Sequence, residues 1–266
     1  MTPCPSRIRV EVHDELDSTS LECARRARAG ETGPLWIMAK TQTAARGRRG
    51  RAWVAPEGNF AASLIRPVVG GPEAAAQRSF VAALALYDAF HLLTGHPERF
   101  SLKWPNDVLL DGRKLAGILL ELQGGQAGIP QVLILGIGVN LAAAPDPSGL
   151  ETHALPPTCL AEVDGMTHPP EALLDLLGRA VEAWEYRLVA EGFEPLRKIW
   201  LERASGLGKP VVARMTNREV RGIFSGIDGR GFIVVETDDG PVSLPAAELE
   251  FEAENREMEG LDAAGN

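Results

Sequence analysis

Residues 99–123 read RFSLKWPNDVLLDGRKLAGILLELQ. Two apolar runs, one ending at "KWPND" and one beginning at "RKLAG", flank Asp111-Gly112, a dipeptide that supplies positive φ in tight hairpin turns. The stretch is therefore predicted to form two or three adjacent strands. A further run, QVLILGIGVNL at 131–141, reads as an apolar strand beside them. Together these runs make the centre of one sheet.

Working toward the N-terminus, FAASLIRP (60–67), PLWIMAKTQ (34–42) and RIRVEVHDEL (7–16) supply three more strands. DSTSLECARRARAG (17–30) reads as a helix with a Ser/Thr start and Gly30 as its stop. PEAAAQRSFVAALALYDAFHLLTG (72–95) is an almost wholly apolar, and hence buried, helix ended by Gly95 and Pro97. Toward the C-terminus, residues 142–157 read as a Pro/Ala-rich loop. Leu173, Leu177, Val181, Trp184 and Leu188 follow helical spacing, and PLRKIWLERA (195–204) is another helix. From about Gly208 the texture changes to short strands divided by turns: PVVARM, EVRGIFSGI, FIVVET and PVSLPAAEL. The expected organisation is a mixed domain over 7–205, a small all-β module over 208–251 and a disordered acidic tail over 252–266.

The 266 residues carry a formal net charge of -9, so the long-range field repels nucleic acid and anionic membrane surfaces. No apolar run reaches membrane-spanning length and no signal peptide is evident, so a cytoplasmic protein is expected. Cys4, Cys23 and Cys159 are widely separated and the histidines have no metal-ligand spacing, which excludes a disulfide framework or a zinc knuckle.

Against that acidic background stands QTAARGRRGRAW, Gln42–Trp53, with Arg46, Arg48, Arg49 and Arg51 in one loop. Gly47 and Gly50 allow close backbone approach, and guanidinium forks match carboxylate and phosphate oxygens, so a polyanionic small molecule fits. A solvated basic loop or an RNA-binding segment is the competing reading. No Walker-type phosphate loop occurs, and "GIGVNL" is not a dinucleotide fingerprint. In "KWPND", Asn106 and Asp107 offer oxygens of the kind that Mg²⁺ and ribose hydroxyls accept, although an Asn-Asp turn capping a strand is equally consistent. In "RKLAGILLE", Lys114 precedes the small residues Ala116 and Gly117, which leave room for a flat ligand against the backbone; a solvated lysine is the bland alternative. The hydroxyls of "DSTS" read most simply as a helix cap.

In combination and in this order, "DSTS", "TQTAARGRRGRAW", "SLKWPNDVLLDGRKLAGILLE" and "GIGVNL" closely resemble the biotin–protein ligases, from about residue 10 to residue 250. The resemblance implies an α+β fold: a mixed sheet with helices like that of class II aminoacyl-tRNA synthetases, followed by a small SH3-like β-barrel. It implies activation of biotin by ATP and Mg²⁺ as biotinyl-5′-AMP and transfer to a lysine of a biotin carboxyl carrier protein. By resemblance Lys114, Arg46 and Arg48 are catalytic. Ser18, Thr19, Ser20, Gln42, Arg46, Gly47, Arg48, Lys114, Gly117 and Gly138 bind biotin. Arg48, Arg49, Arg51, Trp53, Lys103, Asn106, Asp107 and Asn140 bind ATP, Asp107 also meets Mg²⁺, and Trp53 walls the adenine or orders the loop. Ala45, where the family loop has Gly, and Ser20, where it has Asn, are departures at the pocket wall. The pattern begins within ten residues of Met1, leaving no room for the winged helix-turn-helix of the repressor members. No nucleic-acid or membrane partner is expected, and a homodimer is one assembly the resemblance allows. A lipoate–protein ligase shares the adenylate chemistry and is the nearest rival, and a non-catalytic RNA-binding homologue is the more distant one.

Overall fold

The computed structural model describes residues 8–125, 131–149, 154–215 and 218–251. The expected tail at 252–266 lies outside the described residues, as does Cys4. The described residues divide into two compact units between Ser205 and Gly206.

The first unit runs β1 (Arg9–Leu16), α1 (Thr19–Arg28), β2 (Leu35–Gln42), β3 (Phe60–Pro67), α2 (Gly71–Thr94), β4 (Phe100–Lys103), β5 (Asp107–Leu110), β6 (Arg113–Gln123), β7 (Val132–Val139), α3 (Ala161–Asp164), α4 (Pro170–Glu191) and α5 (Phe193–Glu202). Its seven strands pair in the order β1-β2-β3-β7-β6-β5-β4. Only β1 and β2 run parallel; the other pairs are antiparallel. The turn between β5 and β6 is the expected one, with Asp111 and Gly112 at φ of 50° and 75°.

Because side chains alternate across a strand, the registers assign residues to faces. Leu120, Leu122 and Leu133 pack with Val68 and Ala75, on the face covered by α2. Ile37, Ile65 and Ile134 pack with Cys23 and Ala24 of α1, on the opposite face. The apolar composition of α2 follows from its position: it touches β4, β5 and β6 below and α4 and α5 beside it. Its Phe80 meets Phe193 and Trp200 edge-to-face, at centroid distances of 5.0 and 5.4 Å. Arg78 of α2 pairs with Glu185 of α4 at 2.7 Å, so the buried carboxylate is charge-compensated.

The second unit is a five-stranded antiparallel sheet of β8 (Pro210–Arg214), β9 (Glu219–Ile227), β10 (Ile233–Thr237), β11 (Gly240–Leu244) and β12 (Glu248–Phe251), in the order β11-β10-β9-β8-β12. Val211, Ala213, Phe224, Ile227, Ile233, Val235, Leu244 and Leu249 are among its buried residues, with Val212 and Ala247 beside them, and form the core of an SH3-like module.

Candidate functional site

On the α1 side of the sheet, α1 packs over β2, β3 and β7 and leaves the part near β4 and β5 to loops. Register places Lys103, Asp107, Gly117, Gly138 and Ala61 in a single row across β4, β5, β6, β7 and β3. The next rung carries Leu119, Gly136, Ser63 and Ile37. Charged groups thus stand at one end of a strip whose middle is nearly bare backbone.

Simple alternation would put Lys114, two residues before Ala116, on the α2 face. Instead the β5–β6 register shifts: Val108 pairs with Ala116, but Leu109 pairs with Lys114. The extra residue, Leu115, makes a bulge that turns Lys114 to the face of Asp107 and Gly117. There its Nζ lies 2.9 Å from Asp107 Oδ1. The bulged backbone is held from outside the sheet: Lys114 N donates to Pro156 O at 2.9 Å, and Lys114 O accepts from Thr158 N at 3.0 Å.

The arginine loop, expected to lack regular structure, is a closed hairpin. Trp53 N donates to Ala45 O at 3.0 Å and Gly47 N to Arg51 O at 2.7 Å, around a single turn at Arg48–Gly50 in which Arg49 takes a φ of 57°. Its side chains reach back to the sheet. Arg48 Nη1 donates to Asn106 Oδ1 at 3.1 Å, and Asn106 is itself pinned to β6, donating from Nδ2 to Ile118 O at 2.7 Å. Arg46 Nη2 lies 3.5 Å from Glu121 Oε1. Between hairpin and strand, Arg46–Gly50 and Leu119–Glu121 line a cavity of about 330 Å³, within the size range of small-molecule sites. Arg51 is exposed at the hairpin's end, and Lys103 is half-buried opposite Asp107.

The "DSTS" hydroxyls are not a helix cap. Ser18 occupies the N-cap position in extended conformation but makes no side-chain capping bond. Thr19 Oγ1 instead sits 2.8 Å from Ser63 Oγ and 3.2 Å from Gln42 Oε1, and Gln42 Oε1 also accepts from Thr19 N at 2.8 Å. Ser20 Oγ lies 3.1 Å from Ser63 Oγ and fills the space that a side chain at Gly136 would need. All three hydroxyl residues are buried, so interior hydrogen bonds outweigh capping here. Ser63 was missed in the sequence because one serine in an apolar strand carries no pattern. Asp17 acts at the rim: Arg25 holds its carboxyl down at about 2, against the ordinary 3.8.

Three further residues have neighbours that the sequence does not announce. Asn140 is buried, and its amide donates to Thr158 O at 2.9 Å while its backbone N meets Leu115 O. It ties the 156–160 segment to the bulge that aims Lys114. Gly117 and Gly138 do have a flat group against them, but it is the indole of Trp53: an added Cβ would meet it at 3.1 Å and 2.6 Å. Glu121, also missed, reads in the sequence as an ordinary solvated strand residue; one of its carboxylate oxygens is buried without a hydrogen-bond partner. Among the described residues no cluster of three or more His, Cys, Asp or Glu is arranged to hold a metal.

Two family models match the chain: the Biotin/lipoate A/B protein ligase family over residues 29–140 and the Biotin protein ligase C terminal domain over 206–251. The biotin--[acetyl-CoA-carboxylase] ligase of Paracoccus denitrificans is 49% identical over 235 residues, 88% of this chain and 97% of that one. The bifunctional ligase/repressor BirA of Escherichia coli is 32% identical, over 90% of this chain and 75% of that one. Among solved structures, the biotin protein ligase of Aquifex aeolicus in complex with biotin and ATP superposes with a TM-score of 0.77 at 24% identity, covering 92% of this chain and 98% of that chain, a likeness of fold.

Proposed function

The chain belongs to the biotin protein ligase family, and from that premise we propose that it activates biotin with ATP as biotinyl-5′-AMP and transfers the biotinyl group to a lysine of a biotin carboxyl carrier domain. The observation that carries the reading is the meeting of Lys114, Arg46 and Arg48 around one small-residue strip.

In the first step a carboxylate oxygen of biotin attacks the α-phosphorus of ATP and pyrophosphate leaves. Two anions must approach each other, so fixed cations lower the barrier. Lys114, on a rigid bulged strand, is assigned to the carboxylate and α-phosphate, with Arg46 and Arg48 on the same oxygens and Arg49 and Arg51 toward the outer phosphates. In the free protein Lys114 pairs with Asp107 and Arg46 with Glu121, so these cations are held in place before substrate arrives. Gln42 commits its oxygen to Thr19 and so keeps its amide donors for the ureido carbonyl of biotin. Ser18 and Thr19 line that end, while Ser20 acts through Ser63. Lys103 and Asn106 are assigned to ATP.

Magnesium, when bound with ATP, would neutralise phosphate charge. Asp107 would hold it, which fits an ion that commonly takes one carboxylate plus phosphate oxygens rather than an all-protein cage. In the second step the acceptor's neutral amine attacks the acyl carbon and AMP departs. The hairpin over the cavity keeps water from the anhydride until then.

The remaining assignments follow from charge and composition. A net charge of -9 argues against binding to DNA or anionic membrane, and no helix among the described residues is long and apolar enough to cross a membrane. The test is ATP–pyrophosphate exchange on the purified protein. Exchange that depends on biotin, and that lipoate or octanoate does not support, is expected; equal exchange with lipoate would move the chain to the rival activity.

A further inference from the structure

Asn59 stands where the chain leaves the arginine loop and enters β3, and it is only 4% exposed. Its whole side-chain amide is committed to one short segment. Oδ1 accepts from Ala142 N at 2.9 Å and from Ala143 N at 3.2 Å, and Nδ2 donates to Ala143 O at 2.7 Å. The ladder between β3 and β7 ends at Phe60 and Val139, so the backbone groups just beyond it need other partners. An asparagine amide carries the donor and acceptor of a peptide group, and Asn59 continues the ladder with its side chain. Its own N donates to Pro56 O at 3.2 Å, which holds the turn that presents it. The fit is close: Gly58 has a φ of 83°, and a Cβ added there would meet the Ala142 Cβ at 3.0 Å.

The segment that Asn59 holds is the one that holds the lysine. Asn140 N donates to Leu115 O at 3.0 Å and Asn140 Nδ2 to Thr158 O at 2.9 Å, while Leu160 N and Ala161 N donate to Asn140 O and Leu141 O at 2.8 and 3.0 Å. Pro156 and Thr158 then bracket the backbone of Lys114. Residues 140–143 are thus a junction with Asn59 on one side and the Leu115 bulge and the 156–161 segment on the other. We propose that Asn59 is a positioning residue for adenylate formation: by pinning Ala142 and Ala143 it fixes the junction from which the bulge is held, and so ties the exit of the arginine loop to the aim of Lys114. The proposal rests on the ligase reading for its catalytic consequence, but not for its geometry.

Two variants test it in the full chain. Asn59→Ala removes all three side-chain bonds. Asn59→Asp keeps an acceptor for the two N–H groups but sets a carboxylate oxygen against Ala143 O, where the amide donated at 2.7 Å. Once protonated, the acid regains the amide's pattern of one donor and one acceptor, and burial beside a carbonyl favours that form. Asn59→Asp should therefore behave like Asn59→Ala at about pH 8 and approach wild type, measured at the same pH, as the pH is lowered to about 5.

The first readout, independent of activity, is native-state hydrogen exchange of the Lys114 and Thr158 amides, which donate to Pro156 O and Lys114 O. Asn59→Ala should speed both by about tenfold, the factor expected for losing a buried hydrogen bond, while amides of the β1–β2 ladder keep their wild-type rates. The second is single-turnover measurement of the two half-reactions per folded molecule. Adenylate formation should slow by about tenfold and transfer from supplied biotinyl-5′-AMP by less than about threefold. In a Lys114→Met background Asn59→Ala should cost less than about twofold more, because the group it aims is gone. Wild-type exchange at Lys114 and Thr158 in Asn59→Ala would overturn the proposal. So would equal slowing of both half-reactions, or a tenfold loss that persists without Lys114. If Asn59→Ala does not fold, Asn59→Asp carries the same readouts across pH, and a deficit at Lys114 and Thr158 that stays constant from about pH 8 to about pH 5 would overturn the proposal equally. A wild-type protein with no biotin-dependent ATP–pyrophosphate exchange would defeat the ligase reading alone, leaving the amide exchange to decide the junction.

Discussion

Strands β6 and β7 present two unlike faces made from alternate residues of the same sequence. Leu120, Leu122, Leu133 and Leu135 project toward α2, while Gly117, Leu119, Gly136 and Gly138 project toward the hairpin. On the first face large side chains fill the space between sheet and helix. On the second the side chains are removed, and what fills the space comes from elsewhere in the chain: Ser20 over Gly136 and Trp53 over Gly138. The packed face supplies stability and a fixed register. The stripped face uses that register to hold charges at known heights, so each face should respond differently to substitution.

The largest effect is expected on the packed face. Leu135 is 1% exposed and pairs in register with Leu120, so Leu135→Ala leaves a cavity that the surrounding helix cannot collapse onto. Stability should fall by about 2 to 5 kcal/mol in urea unfolding, while biotin-dependent exchange per folded molecule stays near wild type. A variant that keeps its stability but loses exchange would erase the distinction between the faces.

Next comes Lys114→Met, which keeps the stem and removes the charge. Adenylate formation should slow roughly 10²- to 10³-fold, about 3 to 4 kcal/mol, as for loss of one oxyanion donor, and transfer from supplied biotinyl-5′-AMP should suffer less. The substitution also leaves Asp107 without its 2.9 Å partner, and that bare carboxylate would itself repel ATP. Comparing Lys114→Met/Asp107→Asn with Asp107→Asn alone separates the two contributions: a Lys114→Met loss that vanishes in that background would assign it to repulsion and remove Lys114 from the catalytic set. Single-turnover measurement of both half-reactions is the check.

How legible each face was in the sequence follows from the same contrast. The packed face obeys period-two and period-3.6 patterns, so β3, β6, β7 and the buried α2 could be read from apolar residues alone. The turn at Asp111-Gly112 could be read because positive φ selects its residues. On the stripped face those rules lose their grip. Alternation would have put Lys114 with Ala116, and only a bulge at Leu115, invisible without its partner strand, turns it to the site. The "DSTS" hydroxyls fit a cap by local rules, but Ser63, more than forty residues away, offers a buried partner that local rules do not include. Gly117 and Gly138 show that something must approach the backbone there, but a gap in a sequence does not say what fills it. The ligase motifs were recognisable as a set because the charged groups are the part of this face that chemistry, and not packing, dictates.

The smallest effect belongs to the rim, where the stripped face meets solvent. Asp17 receives two hydrogen bonds from Arg25, at 2.9 and 2.8 Å, and its backbone carbonyl accepts from Ala44 N at the start of the hairpin. Its carboxyl is held at about 2, chiefly by the Arg25 hydrogen bonds, so folding favours the ionised form. Stability from this group is therefore fully present above its ordinary range near pH 4 and is lost as the pH falls from there through about 2. The pair is well exposed, 46% for Arg25 and 39% for Asp17, so solvent screening limits its worth to less than about 1 kcal/mol. Asp17→Asn should lower stability by that small amount at neutral pH, and wild type and variant should converge as the pH is taken from about 4 to 2. Adenylation at neutral pH should change less than threefold, because the backbone bond to Ala44 survives and the small stability loss is below about one power of ten. A stability gap that stays constant down to pH 2 would show that the carboxylate's charge is not the source. A large loss of adenylation would move the boundary of the site outward from the strip to its rim.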